Sequence, residues 1–165
     1  IRSEGIRNFE YLVGGRGPML DELKRAVDAA GLQDNVRFLG FIKDEELPAL
    51  YQSCDVFLHP QTHVGEGNDF EGFGLVIADA MSFGLAVLAG EEGGPREFVI
   101  NGDTGLIVDG LDPVALRKAI KRLILEQELR SSLSLRGRDF SLSHLSWDDH
   151  AARILGLIPL DGKTK

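Results

Sequence analysis

Short apolar runs of four or five residues alternate with longer segments of helical spacing along nearly the whole chain. The runs Phe9 to Val13, Val36 to Leu39, Asp55 to Leu58, Leu85 to Ala89 and Thr104 to Val108 read as strands. Between them the spacing predicts helices over Pro18 to Ala30, Asp44 to Ser53 and Gly74 to Phe83, and a short one from Pro95 to Ile100. Three more follow the last strand: Asp112 to Glu126, Glu128 to Phe140, and Ser146 to Leu155. Strands separated by helices are joined by crossovers, and crossovers make parallel pairs. The predicted fold class is therefore α/β, a doubly wound parallel sheet of about five strands with flanking helices.

Local punctuation supports this division. Gly14-Gly15-Arg16-Gly17 ends the first strand, and Pro18 suits the first turn of a helix that Gly31 stops. Asp112 is a predicted N-cap, with Pro113 at the first helical position. Pro48 either bends its helix or marks a later start. Gly137 weakens the end of the helix that holds it. Ser146 and Asp149 approximate a capping box. There is no internal repeat and no low-complexity segment.

Length and charge narrow the function. At 165 residues the chain makes one domain: residues 1–158, with 159–165 as a flexible tail. A net charge of -8 argues against nucleic acid as a partner and against a polybasic membrane patch, while leaving a local basic groove open. The single Cys54 excludes an internal disulfide and a multi-cysteine metal site, and fits a reducing, cytoplasmic setting as buried filler. No apolar run reaches the roughly 18 residues of a transmembrane helix.

In a parallel sheet of this type, ligands bind beyond the carboxyl ends of the strands. One such loop carries Glu71-Gly72-Phe73-Gly74 and runs into an apolar helix that contains Asp79. Eight residues is just over two helical turns, so Asp79 returns to roughly the side from which the chain enters. The Gly-Phe-Gly turn leaves the amides of Phe73, Gly74 and Leu75 uncovered at a helix N-terminus, where an anion or sugar hydroxyls would bind. Asp79 has apolar neighbours, Leu75 to Ala78 and Ala80-Met81, so its carboxylate is expected to be paired or ligand-bound rather than simply solvated. Carboxylates that accept hydroxyl hydrogen bonds, beside amides that face phosphate, suit a nucleotide-sugar pocket.

The other loops carry weaker signals. Gly93-Gly94-Pro95 opens a second amide-rich turn, but Glu91 and Glu92 precede it and work against phosphate. Arg16 reads as a solvated loop residue more readily than a phosphate ligand. His59 follows a strand and either reaches a substrate or caps the sheet edge. The four histidines lack metal-ligand spacing, and a site from His63, Glu66 and Asp69 is disfavoured. No Ser-His-Asp or Cys-His arrangement can be argued.

Taken together, these segments resemble the C-terminal nucleotide-binding domain of a family 4 (group 1) retaining glycosyltransferase, the Rossmann-like second half of a GT-B fold. The resemblance runs from about Tyr11 to Leu155. It rests on Val13 to Pro18, Val36 to Gly40, Leu50 to Pro60, Glu71-Gly72-Phe73-Gly74 through Asp79-Ala80-Met81, Gly93-Gly94 with Glu97, and Asn101 to Leu106. It implies that Glu71 is the catalytic-site acid that holds donor-sugar hydroxyls. Gly72, Phe73, Gly74 and Leu75 would line the sugar and diphosphate, and Asp79 would hold the ribose. Gly15, Arg16, Phe41 and Ile42 would lie near the base. It further implies a nucleotide diphosphate sugar as donor, retention of anomeric configuration, and no metal or other cofactor.

Three departures stand out against the family pattern. The second acid is usually Glu, whereas Asp79 is one methylene shorter. The loop from Gln61 to Phe70 is longer than the common form. The domain's first strand and helix, which bring the Arg and Lys that neutralise the diphosphate, have no counterpart here, and neither does the N-terminal acceptor domain. The chain is thus expected to transfer little sugar alone, and an uncovered sheet edge would favour self-association. A non-catalytic nucleotide-sugar-binding or partner-docking module is the alternative from another class, and a nucleotide-sugar epimerase fragment a more distant one.

Overall fold

The computed structural model describes residue 1, residues 4–62 and residues 71–156. The chain divides into two compact units, Ile1–Leu50 and Tyr51–Lys165. Among the described residues, five strands are each separated from the next by an α-helix or a helical turn, and three of the six α-helices follow the last strand, as the sequence pattern requires. Every strand pair is parallel. The expected set of about five strands is present, but it is hydrogen-bonded as two ladders, β1–β2 and β3–β4–β5.

The first unit holds β1 (Tyr11–Gly14), α1 (Leu20–Ala29) and β2 (Val36–Gly40). Asn35 closes its base, with the side-chain amide donating to the carbonyls of Arg7 and Phe9 at 3.1 and 2.9 Å. Pro18 lies just before α1 rather than in its first turn, and Met19 is the N-cap residue. The chain crosses between units in α2 (Leu47–Gln52). This helix starts later than expected, and Pro48 sits in its first turn, where a missing N–H costs nothing.

The second unit is built on β4 (Ala86–Gly90), all five residues of which are buried. β4 lies between β3 (Val56–His59) and β5 (Leu106–Val108). Ala86 and Ala89 keep its faces small, and Gly90 leaves room for the backbone of Gln61, which a Cβ there would strike. Leu88 is fully buried with Leu106, Leu123 and Leu133 in one apolar cluster. Truncating such a leucine to Ala costs about 2–5 kcal/mol.

α3 (Leu75–Ser82), α4 (Pro113–Leu125), α5 (Gln127–His144) and α6 (Trp147–Ile154) complete this unit. Asp112 caps α4 as expected, its carboxylate accepting from the Val114 and Ala115 amides at 2.8 and 3.1 Å. The short helix expected at Pro95–Ile100 is a single 3-10 turn, Gly94–Glu97. Gly137 does not end α5, which continues to His144. A Cβ at Gly137 would sit 2.7 Å from the Thr104 carbonyl oxygen, so glycine is what permits this packing. Ser141, one turn on, is buried and donates to the Ala78 carbonyl at 3.1 Å, tying α5 to α3. The expected tail, 159–165, lies outside the described residues.

Candidate functional site

In parallel register, His59 pairs with Ala89, so β3 and β4 end side by side at His59 and Gly90. Their exit loops lie against each other backbone to backbone. A Cβ on Gly94 would fall 2.0 Å from the Gly72 carbonyl oxygen, and one on Gly93 2.4 Å from that of Glu71. Only glycine tolerates such approaches, which explains the Gly93-Gly94 pair. The Gly94 amide donates to the Glu71 carbonyl at 3.0 Å and fastens the two loops. Phe73 closes the side of the turn, its ring centroid 5.1 Å from that of Phe98.

Glu71 is half-buried and held at both carboxylate oxygens. Oε1 accepts from the Gly74 amide at 2.9 Å, and Oε2 lies 3.3 Å from His59 Nε2. The Gly74 amide is therefore not uncovered, contrary to expectation: the carboxylate three residues earlier takes it, as an N-terminal helix cap does. Gly74 itself is left-handed, with φ at 86°, and begins α3. The amides of Phe73 and Leu75 have no acceptor among the described residues. A carboxylate oxygen has two lone-pair directions, so Glu71 is oriented by these bonds without being saturated.

Asp79 departs from its expectation more sharply. Its side chain is exposed and has no hydrogen-bond or ion-pair partner among the described residues. The apolar neighbours that suggested burial divide between two faces. Ile77, Ala78, Ala80 and Met81 are buried, while Leu75 and Val76 share the exposed side with Asp79. Partial burial still raises its pKa above the ordinary carboxylate value. Its charge, after burial, helps push the nearby Tyr51 hydroxyl upward too. The Tyr51 ring stacks on Phe83 at 5.3 Å.

The residues expected near a base come together within the first unit. The Gly15 amide donates to the Gly40 carbonyl at 2.7 Å. The Arg16 guanidinium lies over the Phe41 ring, 5.8 Å from its centroid, in cation–π range. Ile42 packs against Gly14, where a Cβ would be 2.6 Å from its Cδ1. Phe41 is 65% exposed, a flat apolar ring open to solvent.

Sequence reasoning overlooked Gln61. Its Nε2 donates to the carbonyls of Gly90 and Glu92 at 3.2 and 2.7 Å, and its Oε1 accepts from the Gly90 amide at 2.9 Å. One side chain thus pins the start of the Gly90–Gly94 loop to the end of β3. A signal was available: a long amide side chain follows Pro60 at a strand exit, and a glycine ends the adjoining strand. His59 was noted, but its partner Glu71 is twelve residues away and only the fold brings them together. His63, Glu66 and Asp69 lie outside the described residues. Among the described residues no three of His, Cys, Asp and Glu converge as a metal site, and no helix is long and apolar enough to cross a membrane.

A parallel α/β protein whose docked, glycine-rich turns lie beyond its strand ends belongs to the class that holds ligands there. This chain is a member of the group 1 glycosyl transferases, whose family model matches residues 2–140. It is 37% identical over 147 residues to a GDP-mannose-dependent alpha-(1-6)-phosphatidylinositol monomannoside mannosyltransferase of Mycolicibacterium smegmatis, covering 89% of this chain and 38% of that protein. It is 36% identical over 120 residues to a D-inositol 3-phosphate glycosyltransferase of Salinispora tropica, covering 73% and 23%. Among solved structures, sucrose-phosphate synthase of Thermosynechococcus elongatus superposes with a TM-score of 0.79 at 28% identity, over 94% of this chain and 39% of that one. HepE of Anabaena in complex with UDP-glucose gives 0.75 at 25% identity, over 90% and 41%. These structural neighbours are GT-B glycosyltransferases, and the α/β fold class agrees with theirs. The chain spans about two fifths or less of each of these proteins.

Proposed function

We propose that this chain binds the nucleotide diphosphate sugar donor of a retaining glycosyltransferase. The observation that carries this reading is the Glu71 carboxylate, fixed by Gly74 and His59 yet with acceptor capacity to spare, beside the amides of Phe73 and Leu75. Glu71 would accept hydrogen bonds from donor-sugar hydroxyls. Gly72 and Gly74 give the turn its shape, and the α3 dipole favours the diphosphate. Asp79, unengaged and exposed, is the proposed acceptor for ribose hydroxyls. Within the first unit, Phe41 with Arg16 over it is a surface suited to a nucleobase.

During transfer, the bond from the anomeric carbon to the diphosphate oxygen breaks. An acceptor hydroxyl oxygen bonds to that carbon on the same face, and its proton leaves with the diphosphate. Amide dipoles at the turn stabilise the charge that develops on the leaving group. Because the chain spans only part of its relatives, this reaction is proposed for the whole enzyme, with little or no turnover by the chain alone. Measurable sugar transfer by the purified chain would refute that last point.

The relatives named for GDP-mannose make GDP the first nucleotide to try. Calorimetry with GDP, UDP and ADP tests the reading. One nucleotide should bind, and Asp79→Ala should weaken it. Equal binding by the variant would remove Asp79 from the site.

A further inference from the structure

We propose that Gln61 is a positioning residue for the donor sugar, acting through Glu71 without touching the ligand. The inference rests on the donor reading and adds a residue which that reading does not use. Glu71 is anchored outside its own turn at two points. Its carboxylate meets His59 Nε2 at 3.3 Å, and its carbonyl accepts from the Gly94 amide at 3.0 Å. Both anchors trace back to Gln61. The Gln61 backbone amide donates to the His59 carbonyl at 2.8 Å, closing a three-residue turn around Pro60, whose ring-fixed φ suits that bend. The Gln61 side chain holds Gly90 and Glu92, at the start of the loop that carries Gly94.

Pro60, Gln61 and Thr62 are themselves held as a strap across the carboxyl ends of the β3–β4–β5 ladder. A Cβ on Gly90, the last residue of β4, would collide with the Gln61 backbone. A Cβ on Gly110, just beyond β5, would lie 2.5 Å from both the Pro60 carbonyl oxygen and Thr62 Cγ2. The strap therefore leaves β3, passes the end of β4 and reaches the exit of β5, and two glycines keep its path open. Its bonds to Gly90 and Glu92 occupy both N–H donors of the Gln61 side chain and one acceptor site. Little is left for a ligand, so the side chain acts as a support.

A carboxylate selects sugar hydroxyls only while its oxygens stay at hydrogen-bond distance and angle. Releasing the strap loosens His59 and Gly94 together. Glu71 then keeps only the bond from the Gly74 amide to Oε1, at 2.9 Å, and its second oxygen is free to swing. The loss falls on the sugar. Asp79, the proposed ribose acceptor, belongs to α3 and has no bond to the strap among the described residues.

The test is calorimetry of the full 165-residue chain with GDP and GDP-mannose and with UDP and UDP-glucose, beside amide hydrogen exchange without ligand. Gln61→Met keeps the side chain's length and removes its hydrogen bonds. It should weaken binding of the nucleotide sugar about tenfold, the worth of one hydrogen bond to a charged group, and leave the bare nucleotide nearly unchanged. Gly110→Ala crowds the strap from the β5 side and lies outside the proposed site, yet should produce the same selective loss. Exchange of the Gly74 amide should quicken in both variants. Leu116→Ala removes partly buried packing on α4 and serves as the stability control; it should spare both the selectivity and Gly74. Circular dichroism verifies that all three variants fold. The proposal is overturned by equal losses for sugar and nucleotide, by no loss, by unchanged exchange at Gly74, or by the same selective loss in Leu116→Ala. If the unaltered chain binds none of the four ligands, the donor reading falls and the sugar role with it, while exchange at Gly74 still decides whether Gln61 holds Glu71.

Discussion

Asp79 is an exposed acid with a raised pKa, a combination that costs stability at neutral pH. The raised value means that the folded state holds its proton more tightly than the unfolded state. Stability then falls as pH rises from the unfolded value, about 3.9, through the folded value, and the penalty is complete above it. Asp79→Asn should therefore leave the melting temperature at pH 7 unchanged or slightly higher while weakening nucleotide binding; a lower melting temperature would mean that the carboxylate is structural. Glu71 is expected to behave differently. Glu71→Gln should cost about tenfold or more in affinity for the nucleotide sugar, the worth of a hydrogen bond to a charged group. Affinity for the bare nucleotide should change far less, and parallel losses for both ligands would place Glu71 in the scaffold alone.

Among the elements, the loop pair beyond β3 and β4 depends on two features of opposite legibility. The glycines at 72, 74, 93 and 94 are conspicuous in the sequence; backbone contact explains Gly93 and Gly94, and a left-handed φ of 86° explains Gly74. Gln61 is not conspicuous, because its value lies in reaching a strand that is distant in sequence. Gln61→Ala would strip partners from the Gly90 amide and from two carbonyls, and should destabilise by about 1–3 kcal/mol. Hydrogen exchange should quicken at Gly90–Gly94; unchanged exchange there would remove the clamp. Gly137 shows the limit of propensity. In an exposed helix, Gly→Ala gains about 1 kcal/mol, yet here the added Cβ meets the Thr104 carbonyl, so Gly137→Ala should destabilise by about 1–3 kcal/mol in a urea melt. Helix starts marked by side-chain chemistry, such as Asp112-Pro113, were legible. The exposure of Asp79 was not, because sequence neighbours on a helix point to different faces.

For the molecule as a whole, alternation of strands and helices was enough to predict parallel α/β architecture, but not the division of five strands into two ladders within two units. That division depends on which strands pair, and apolar runs of similar length carry no pairing code. Net charge was equally coarse: a total of -8 concealed a helix with four cations and no acid. The donor reading proposes no metal, so nucleotide affinity should be the same with EDTA as with added magnesium; a chelator-sensitive affinity would count against it. The most direct test of the central claim is calorimetric titration of this chain and Asp79→Ala with GDP, UDP and ADP. Selective binding of one nucleotide, weakened about tenfold or more in the variant, is the predicted result. Failure of all three to bind, or equal binding by both proteins, would contradict it.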